Sequence, residues 1–206
     1  MISNTTNSKT YWDNKWLGLK DNKTHTRHIT SAFRKVGKYI HKNDSVLDFG
    51  CGLGEFLEYV SKEIEGLMLF GCDHSDVAMI ECTKKLDIGW SNSLDAYDKP
   101  IFDVVTCIHT LEHFEEPESW LSNMLNVVVP GGWCVVVLPL EDQPWEEHPK
   151  IWTIKDVLDL ANQTGLTYRI EMGVEKRMFG NEEGVVKYPN GDLRLEVIIA
   201  FKKNEL

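Results

Sequence analysis

The stretch that decides the fold runs from Val46 to Leu57 and reads Val-Leu-Asp-Phe-Gly-Cys-Gly-Leu-Gly-Glu-Phe-Leu. An apolar run leads into three closely spaced glycines, which open a helix. Glycines let a backbone approach a ligand closely at the N-terminus of a helix. A tight turn between a strand and a helix is the simpler alternative, but the strand-loop-helix context favours a ligand-binding loop.

The residues around the glycines indicate what the loop binds. A nicotinamide dinucleotide site needs a third small residue at the position that Glu55 occupies. Asp48 stands two residues before the first glycine, where a carboxylate would repel a pyrophosphate but suit an ammonium and a sulfonium, as in S-adenosylmethionine. Asp73 ends the next apolar run, where an acid accepts hydrogen bonds from both ribose hydroxyls. The alternative for Asp73, capping of the next helix, is a role for which Ser75 is available.

Short apolar runs alternate with amphipathic stretches from residue 45 onward. The predicted strands are Ser45–Phe49, Leu67–Cys72, Asp87–Ser93, Asp103–Ile108, Trp133–Leu138, Thr167–Met172 and Leu193–Phe201. The predicted helices are Ile29–Ile40, Glu118–Val127 with Pro130-Gly131-Gly132 stopping it, and a helix capped by Thr153 and ended by Gly165. This alternation predicts a doubly wound α/β sheet that binds its ligand at the carboxyl ends of the strands.

Composition narrows the function. The 206 residues are 42% hydrophobic and fit one globular domain. No run approaches the roughly 20 apolar residues of a membrane span, and the polar start lacks the apolar core of a signal peptide, so we expect a cytoplasmic protein. A net charge of −10 disfavours general nucleic-acid binding. The five cysteines stand apart without a CxxC pair, so we expect small buried hydrophobes rather than disulfides or a zinc site.

From about residue 45 to 201 the chain resembles the class I, seven-strand S-adenosylmethionine-dependent methyltransferases. Their DxGxGxG motif is matched by Asp48, Gly50, Gly52 and Gly54, and their ribose acid by Asp73. Three later motifs are matched, in order, by Phe102–Val105, Leu111–Pro117 and Val129–Gly132. The resemblance implies a mostly parallel seven-strand sheet with helices on both faces, S-adenosylmethionine as cofactor and S-adenosylhomocysteine as product.

The resemblance also implies a set of cofactor contacts and a division of the chain. The expected cofactor-binding residues are Asp48, Gly50, Cys51, Gly52, Gly54, Asp73, His74, Ser93, Leu94 and Ile108. His74 departs from the family pattern, which often places an apolar residue against the adenine. We expect residues 1–44 to form an N-terminal helical cap or lid and residues 45–206 to form the cofactor-binding domain.

Three histidines are candidate catalytic residues, because imidazole removes protons near neutral pH. His109 and His113 follow the fourth predicted strand, and His148 follows the fifth. The resemblance implies that His109 faces the acceptor. A structural role for each histidine is the alternative. His109 to His113 also spells the HxxEH zinc motif, but that motif needs both histidines on one helix, so we expect no metal.

The N-terminal segment and one long connection complete the candidate site. Tyr11, Trp12 and Trp16 could close over the donor or shape an acceptor pocket, although simple packing is the plainer alternative. Arg27 could pair with the donor carboxylate, although a surface arginine is the plainer alternative. The segment from Gly173 to Asp192 could add a rim or form an exposed flap.

The sequence therefore predicts an enzyme that methylates a small molecule, with a hydroxyl as the expected acceptor. A binding module that kept the cofactor site but lost turnover, acting as a regulatory partner, is one alternative. A methyltransferase acting on RNA or protein is another. The acceptor and the oligomeric state stay open.

Overall fold

The computed structural model describes residues 6–19, 31–140, 146–176 and 193–205. The helices in these ranges are α1 (Lys9–Leu19), α2 (Ser31–Gly37), α3 (Glu55–Glu63), α4 (Asp76–Lys85), α5 (Pro117–Val127) and α6 (Ile154–Gln163). The strands are β1 (Ser45–Phe49), β2 (Met68–Cys72), β3 (Gly89–Ser91), β4 (Phe102–Ile108), β5 (Val128–Pro139), β6 (Thr167–Lys176) and β7 (Leu193–Lys202). Each predicted strand is present; β1 has the predicted ends, and each of the others is shifted at one end or both.

The strands form one sheet in the order β3-β2-β1-β4-β5-β7-β6. Strands β1 to β5 pair in parallel, whereas β7 runs antiparallel to both of its neighbours. The order reverses between β1 and β4, and such a switch point opens a crevice at the carboxyl ends of the strands. The predicted doubly wound, mostly parallel sheet of seven strands is confirmed among the described residues.

Side chains that alternate along the strands supply a core on each face of the sheet. Leu47 of β1 packs in one cluster with Leu121 of α5 and Leu160 of α6. Its neighbour Val46 packs on the opposite face, in a cluster with Phe33 of α2 and Phe56 of α3. Helices therefore cover both faces, as predicted. All five cysteines are buried and free, which confirms that they act as small core residues.

The predicted start of β5 at Trp133 is wrong, whereas the predicted end of α5 at Val127 is confirmed. Helix α5 ends at Val127, and Pro130, Gly131 and Gly132 lie inside β5 instead of stopping the helix. The reason is backbone pairing with Lys203. The Gly131 N–H donates to the Lys203 carbonyl at 3.1 Å, and the Lys203 N–H donates to the Gly132 carbonyl at 3.0 Å. This pairing beyond the end of β7 extends β5 towards its start. The predicted cap of α6 is confirmed, because Thr153 and Asp156 form a capping box.

The N-terminal part of the chain holds an element that the sequence does not predict. Helix α1 buries none of its side chains, so its sequence lacks the apolar periodicity that reveals a helix. Helix α2 falls within the predicted span from Ile29 to Ile40. Arg27 and the part of the predicted flap from 177 to 192 lie outside the described residues. Within the described ranges, every helix is too short or too polar to cross a bilayer.

Candidate functional site

The glycine loop lies between β1 and α3, at the switch point of the sheet. Gly50, Gly52 and Gly54 have φ angles of +76°, +52° and +82°, which side chains with a Cβ rarely adopt. The amides of Gly50 and Cys51 donate to the Cys72 carbonyl at 2.7 and 3.2 Å, which fixes the loop against the end of β2. The predicted strand-loop-helix arrangement is present.

Asp48 lies in β1 directly below the loop and is only 3% exposed. Its Oδ1 accepts a hydrogen bond from the Thr106 hydroxyl of β4 at 2.8 Å. Burial raises the pKa of Asp48 to about 7, and the hydrogen bond from Thr106 opposes that rise. A buried carboxyl so close to neutrality would gain from a cationic ligand, which would favour its ionised form.

Asp73 follows β2 and joins the glycine loop to the start of α4. Its Oδ2 accepts from the Gly52 amide and its Oδ1 from the Ser75 amide, both at 2.9 Å. Burial raises the pKa of Asp73, and these two hydrogen bonds oppose the rise. Ser75 caps α4 by accepting from the Ala78 amide at 3.2 Å, the role for which the sequence made it available.

His74 has a buried Nε2 without a hydrogen-bond partner among the described residues. A buried nitrogen without a partner costs free energy, so a hydrogen bond from a bound ligand would stabilise this atom. Of the other expected cofactor contacts, Ser93 caps the short 3₁₀ turn at Leu94–Ala96, and Leu94 packs into the core. The Cys51 thiol faces the Met79 sulfur at 3.6 Å, so its side chain packs inward.

Helix α1 lies across the glycine loop and the start of α4. Two ring carbons of Trp16 lie 2.9 Å from the position that a Cβ on Gly52 would take, so only glycine fits beneath this indole. Asp13 accepts from the Ser75 hydroxyl at 2.6 Å and from the Val77 amide at 3.3 Å. Within the aromatic N-terminal segment, Trp16 therefore lies over the glycine loop.

The carboxyl end of β4 brings two of the three candidate histidines together with α1. The ring centroid of His113 lies 4.8 Å from that of Trp12 and 4.8 Å from that of His148. His113 Nδ1 lies 3.1 Å from the Glu147 carbonyl, which can only accept, so Nδ1 carries a proton. Burial lowers the pKa of His113, which keeps the ring neutral.

Glu147, from the loop after β5, fastens α1 to this end of the sheet. Its carboxylate accepts from the Tyr11 hydroxyl and from Lys15 Nζ, the latter at 2.6 Å. The Asn7 side chain donates to the carbonyls of Glu147 and His113 at 2.8 and 3.1 Å. Burial would raise the pKa of Glu147, but the hydrogen bonds from Lys15 and Tyr11 hold it below its usual value.

His109 occupies a different environment from the other two histidines. Its Nε2 lies 3.1 Å from Glu196, which is fully buried in β7, and its Nδ1 lies 3.5 Å from Glu112. Its φ of +52° is unusual for a residue with a side chain. Burial would raise the pKa of Glu112, but the hydrogen bond with His109 outweighs it and holds the pKa at about 2.

Thr110 links the two halves of this region, because its side chain fills the space where a Cβ of Gly50 would lie. We call the glycine loop with Asp48, Asp73 and His74 the donor side. We call Trp12, Glu112, His113, Glu147 and His148 the acceptor side. Both lie at the carboxyl ends of the parallel strands.

A family described as a methyltransferase domain matches residues 22–190 of this sequence. The chain belongs to this family. The fold agrees with this family. The methyltransferase domain superposes on a protein that concerns the conversion of a disulfide bond into a thioacetal group during echinomycin biosynthesis. That likeness has a TM-score of 0.74 at 15% identity, over 96% of this chain and 93% of the other.

Two further proteins are similar to this methyltransferase domain. Magnesium protoporphyrin IX methyltransferase of Synechocystis PCC 6803, whose structure holds S-adenosylmethionine, has a TM-score of 0.62 and 15% identity, over 87% of this chain and 80% of that one. A mitochondrial ubiquinone biosynthesis O-methyltransferase of Schizosaccharomyces pombe is 32% identical over 144 residues. Those residues are 63% of this chain and 50% of that protein, so the chain spans about half the length of this relative.

Sequence reasoning missed several residues of the methyltransferase domain's candidate site. Asp13, Lys15 and Glu147 carry no motif. Asp13 reaches Ser75, and Lys15 reaches Glu147, only because α1 lies over this end of the sheet. The sequence does not predict the role of Glu196 either, because a single acid in the apolar strand β7 is typical of an exposed position. The one available signal was this break in the apolar pattern, since a buried charge in a strand needs a partner.

Proposed function

We propose that this chain transfers a methyl group from S-adenosylmethionine to a hydroxyl group of a small molecule. The observation that carries the proposal is the meeting of the donor side and the acceptor side at the switch point, with Thr110 against Gly50 between them. The methyltransferase fold supports the donor, as does the bound S-adenosylmethionine of the Synechocystis neighbour. The name of the S. pombe relative supports oxygen as the accepting atom.

The donor-side residues fit the cofactor in three respects. Asp48 offers a buried carboxyl to an ammonium group, and the glycine loop offers exposed backbone at a helix start. Each Asp73 oxygen accepts only one of the two amide hydrogen bonds described above, so it retains a lone pair for a ribose hydroxyl. The unpartnered Nε2 of His74 suits the polar edge of an adenine. When bound, S-adenosylmethionine supplies a methyl group that its sulfonium already activates.

The protein's remaining task is to align the acceptor and exclude water. Positioning of this kind can lower a barrier by roughly 7 to 11 kcal/mol. Helix α1 closes the site, with Trp12 on the acceptor side and Trp16 on the donor side. We propose that residues 1–44 act as the lid of the domain formed by 45–206, and that Ile108, Ser93 and Leu94 border the cofactor.

Removal of the hydroxyl proton falls to His113 or His148 in this proposal. The Nδ1 proton of His113 is held by the Glu147 carbonyl, so its Nε2 can accept a proton when the ring is neutral. His109 faces two buried carboxylates, and we therefore assign it a positioning role. We further propose a cytoplasmic location. We also propose that the chain does not bind nucleic acids in general, because its net charge is −10.

Turnover in the presence of a set of phenols, catechols and aliphatic alcohols tests this function. We expect S-adenosylhomocysteine and a singly methylated product by mass spectrometry, with His41→Ala, an exposed histidine remote from the site, as the matched control. Calorimetry with S-adenosylhomocysteine runs in parallel. Binding without turnover on any small molecule would favour the regulatory alternative. Methylation of added RNA or protein, but of no small molecule, would show that the substrate is a macromolecule. Absence of binding by a folded protein would reject the proposal.

A further inference from the structure

Three potential metal ligands converge on the acceptor side. One ligand atom each from Glu112, His113 and His148 lies within 4.8 Å of the other two. Glu112 and His113 come from the turn after β4, whereas His148 comes from the loop after β5. We propose that these three side chains bind a divalent transition-metal ion.

Glu112 supplies an independent indication of a missing partner. The residue is 2% exposed, and its Oε2 has no hydrogen-bond partner among the described residues. Its other oxygen, Oε1, already faces His109 at 3.5 Å. A buried carboxylate oxygen without a partner is costly, and a bound cation would satisfy it.

His113 is oriented as metal-binding histidines are. The hydrogen bond from its Nδ1 to the Glu147 carbonyl leaves Nε2 unprotonated in the neutral ring. Metal-ligating histidines almost always donate their other N–H to a carbonyl or a carboxylate, which fixes both the tautomer and the ring plane. Asn7 steadies this arrangement, because its amide donates to the same carbonyl at 2.8 Å.

The ligand set selects the class of ion. Two imidazoles and one carboxylate suit Zn²⁺ and its first-row neighbours, whereas Mg²⁺ and Ca²⁺ prefer oxygen ligands alone. Ligand atoms around a tetrahedral Zn²⁺ lie about 3.3 Å apart, given its bond lengths. Ligand atoms that stand as far apart as 4.8 Å would therefore move together by about 1.5 Å on binding. Three protein ligands leave the fourth position for water or a substrate oxygen.

This grouping differs from the HxxEH motif that the sequence analysis set aside. The two histidines of that motif are His109 and His113, and the motif needs both of them on one helix. In the structure His109 turns to Glu196, at 3.1 Å, and the third candidate ligand is His148, which the motif does not contain. The expectation of no metal is therefore open to a direct test.

A metal ion here would also act on the acceptor, and this role alone rests on the proposed function. A hydroxyl that coordinates the ion has a lowered pKa, so its O–H bond breaks near neutral pH and the proton passes to solvent. With the ion bound, His113 and His148 serve as ligands, and solvent replaces them as the base. The oxygen then attacks as an alkoxide or a phenolate. The site lies beside Trp12, on the side of the sheet where the acceptor is expected.

Metal titration of the chelator-treated full chain tests the binding. The probes are Zn²⁺, followed by calorimetry, and Co²⁺, followed by its visible absorption. We expect one equivalent to bind, and we expect His148→Ala to lower the affinity at least about tenfold, with Glu112→Gln behaving alike. His41→Ala, which removes an exposed histidine far from the group, should bind like the natural protein.

Two controls separate the outcomes. Zn²⁺ should raise the melting temperature of the natural protein but not that of His148→Ala, whose loop position leaves the core intact. Equal binding by His148→Ala and the natural protein, or no stoichiometric binding of either probe, would overturn the proposal. Binding of S-adenosylhomocysteine in the presence of chelator would show that the proposed function stands even if the metal site fails.

Discussion

The donor side and the acceptor side of this molecule are built in different ways. The donor side comes from one stretch of chain, from Asp48 to His74, and works through backbone: three glycines with positive φ and the amides that bind Asp73. The acceptor side joins three segments that are distant in sequence, and it works through side chains such as His113 and Glu147. A site formed by the backbone of one stretch of chain can be recognised from a sequence motif. A site formed by loops that are distant in sequence cannot.

His109→Ala gives the largest expected effect and tests whether this histidine belongs to the acceptor side at all. It removes the imidazole that lies 3.1 Å from the fully buried Glu196 and 3.5 Å from the nearly buried Glu112. Loss of the partner of a buried acceptor costs about 1 to 3 kcal/mol, and more when the acceptor is charged. We expect a loss of stability of that order, measured by denaturant unfolding.

His109→Gly is the matched control, because it removes the same ring and also relieves the φ of +52°. We expect it to be less destabilising than His109→Ala. If His109→Ala keeps its stability and instead loses its maximal rate, His109 acts as a base and the positioning role is wrong.

Asp73→Ala tests the donor side. It removes the carboxylate that accepts from the Gly52 and Ser75 amides, and with it the proposed ribose contact. We expect S-adenosylhomocysteine binding to weaken by about 1 to 3 kcal/mol, measured by calorimetry. Asp87→Ala, at an exposed position, is the control and should bind normally. Unchanged affinity in Asp73→Ala would place the ribose elsewhere.

Asp48 predicts a pH dependence that is confined to the donor side. Burial raises its pKa from 3.8 to about 7, so the folded protein holds a proton that the unfolded chain has lost. Its contribution to stability is therefore full below about pH 4 and is lost as the pH rises towards 7. The ammonium group of the cofactor favours the ionised form, so affinity should fall below pH 7, by at most about tenfold per pH unit.

Asp48→Asn separates this effect from other titrations. The variant should bind S-adenosylhomocysteine more weakly at pH 8, with little change between pH 8 and pH 6. A pH profile parallel to that of the natural protein would show that Asp48 does not carry the dependence.

Trp16→Ala gives the smallest expected effect and tests whether α1 gates the donor side. Its indole covers Gly52, so removing it should speed both association and dissociation of S-adenosylhomocysteine by severalfold, as stopped-flow fluorescence would detect. Leu17→Ala is the control, since it alters an exposed neighbour on the same helix. Equal rates in the two variants would mean that α1 does not gate the loop.

Particular elements show how far the sequence reaches. The apolar run before the glycines predicted β1 with both of its ends, because a buried parallel strand needs a continuous apolar stretch. The start of β5 was wrong, because Lys203 pairs with Gly131 and Gly132 from the far end of the chain. Helix α1 was missed, because it is held by polar contacts such as Asp13 to Ser75 rather than by an apolar face.

The sequence by itself determined the alternation of strands and helices along the chain from residue 45 onward. It also determined the glycine loop and the acids on either side of that loop. These features depend on local backbone preference and on which residues avoid water, and both are written in neighbouring positions. Only the tertiary structure decided that Glu112, His113 and His148 meet, that Glu147 fastens α1, and that His109 turns to Glu196. Those contacts join residues far apart along the chain, so their geometry exists only once the sheet has brought its strand ends together.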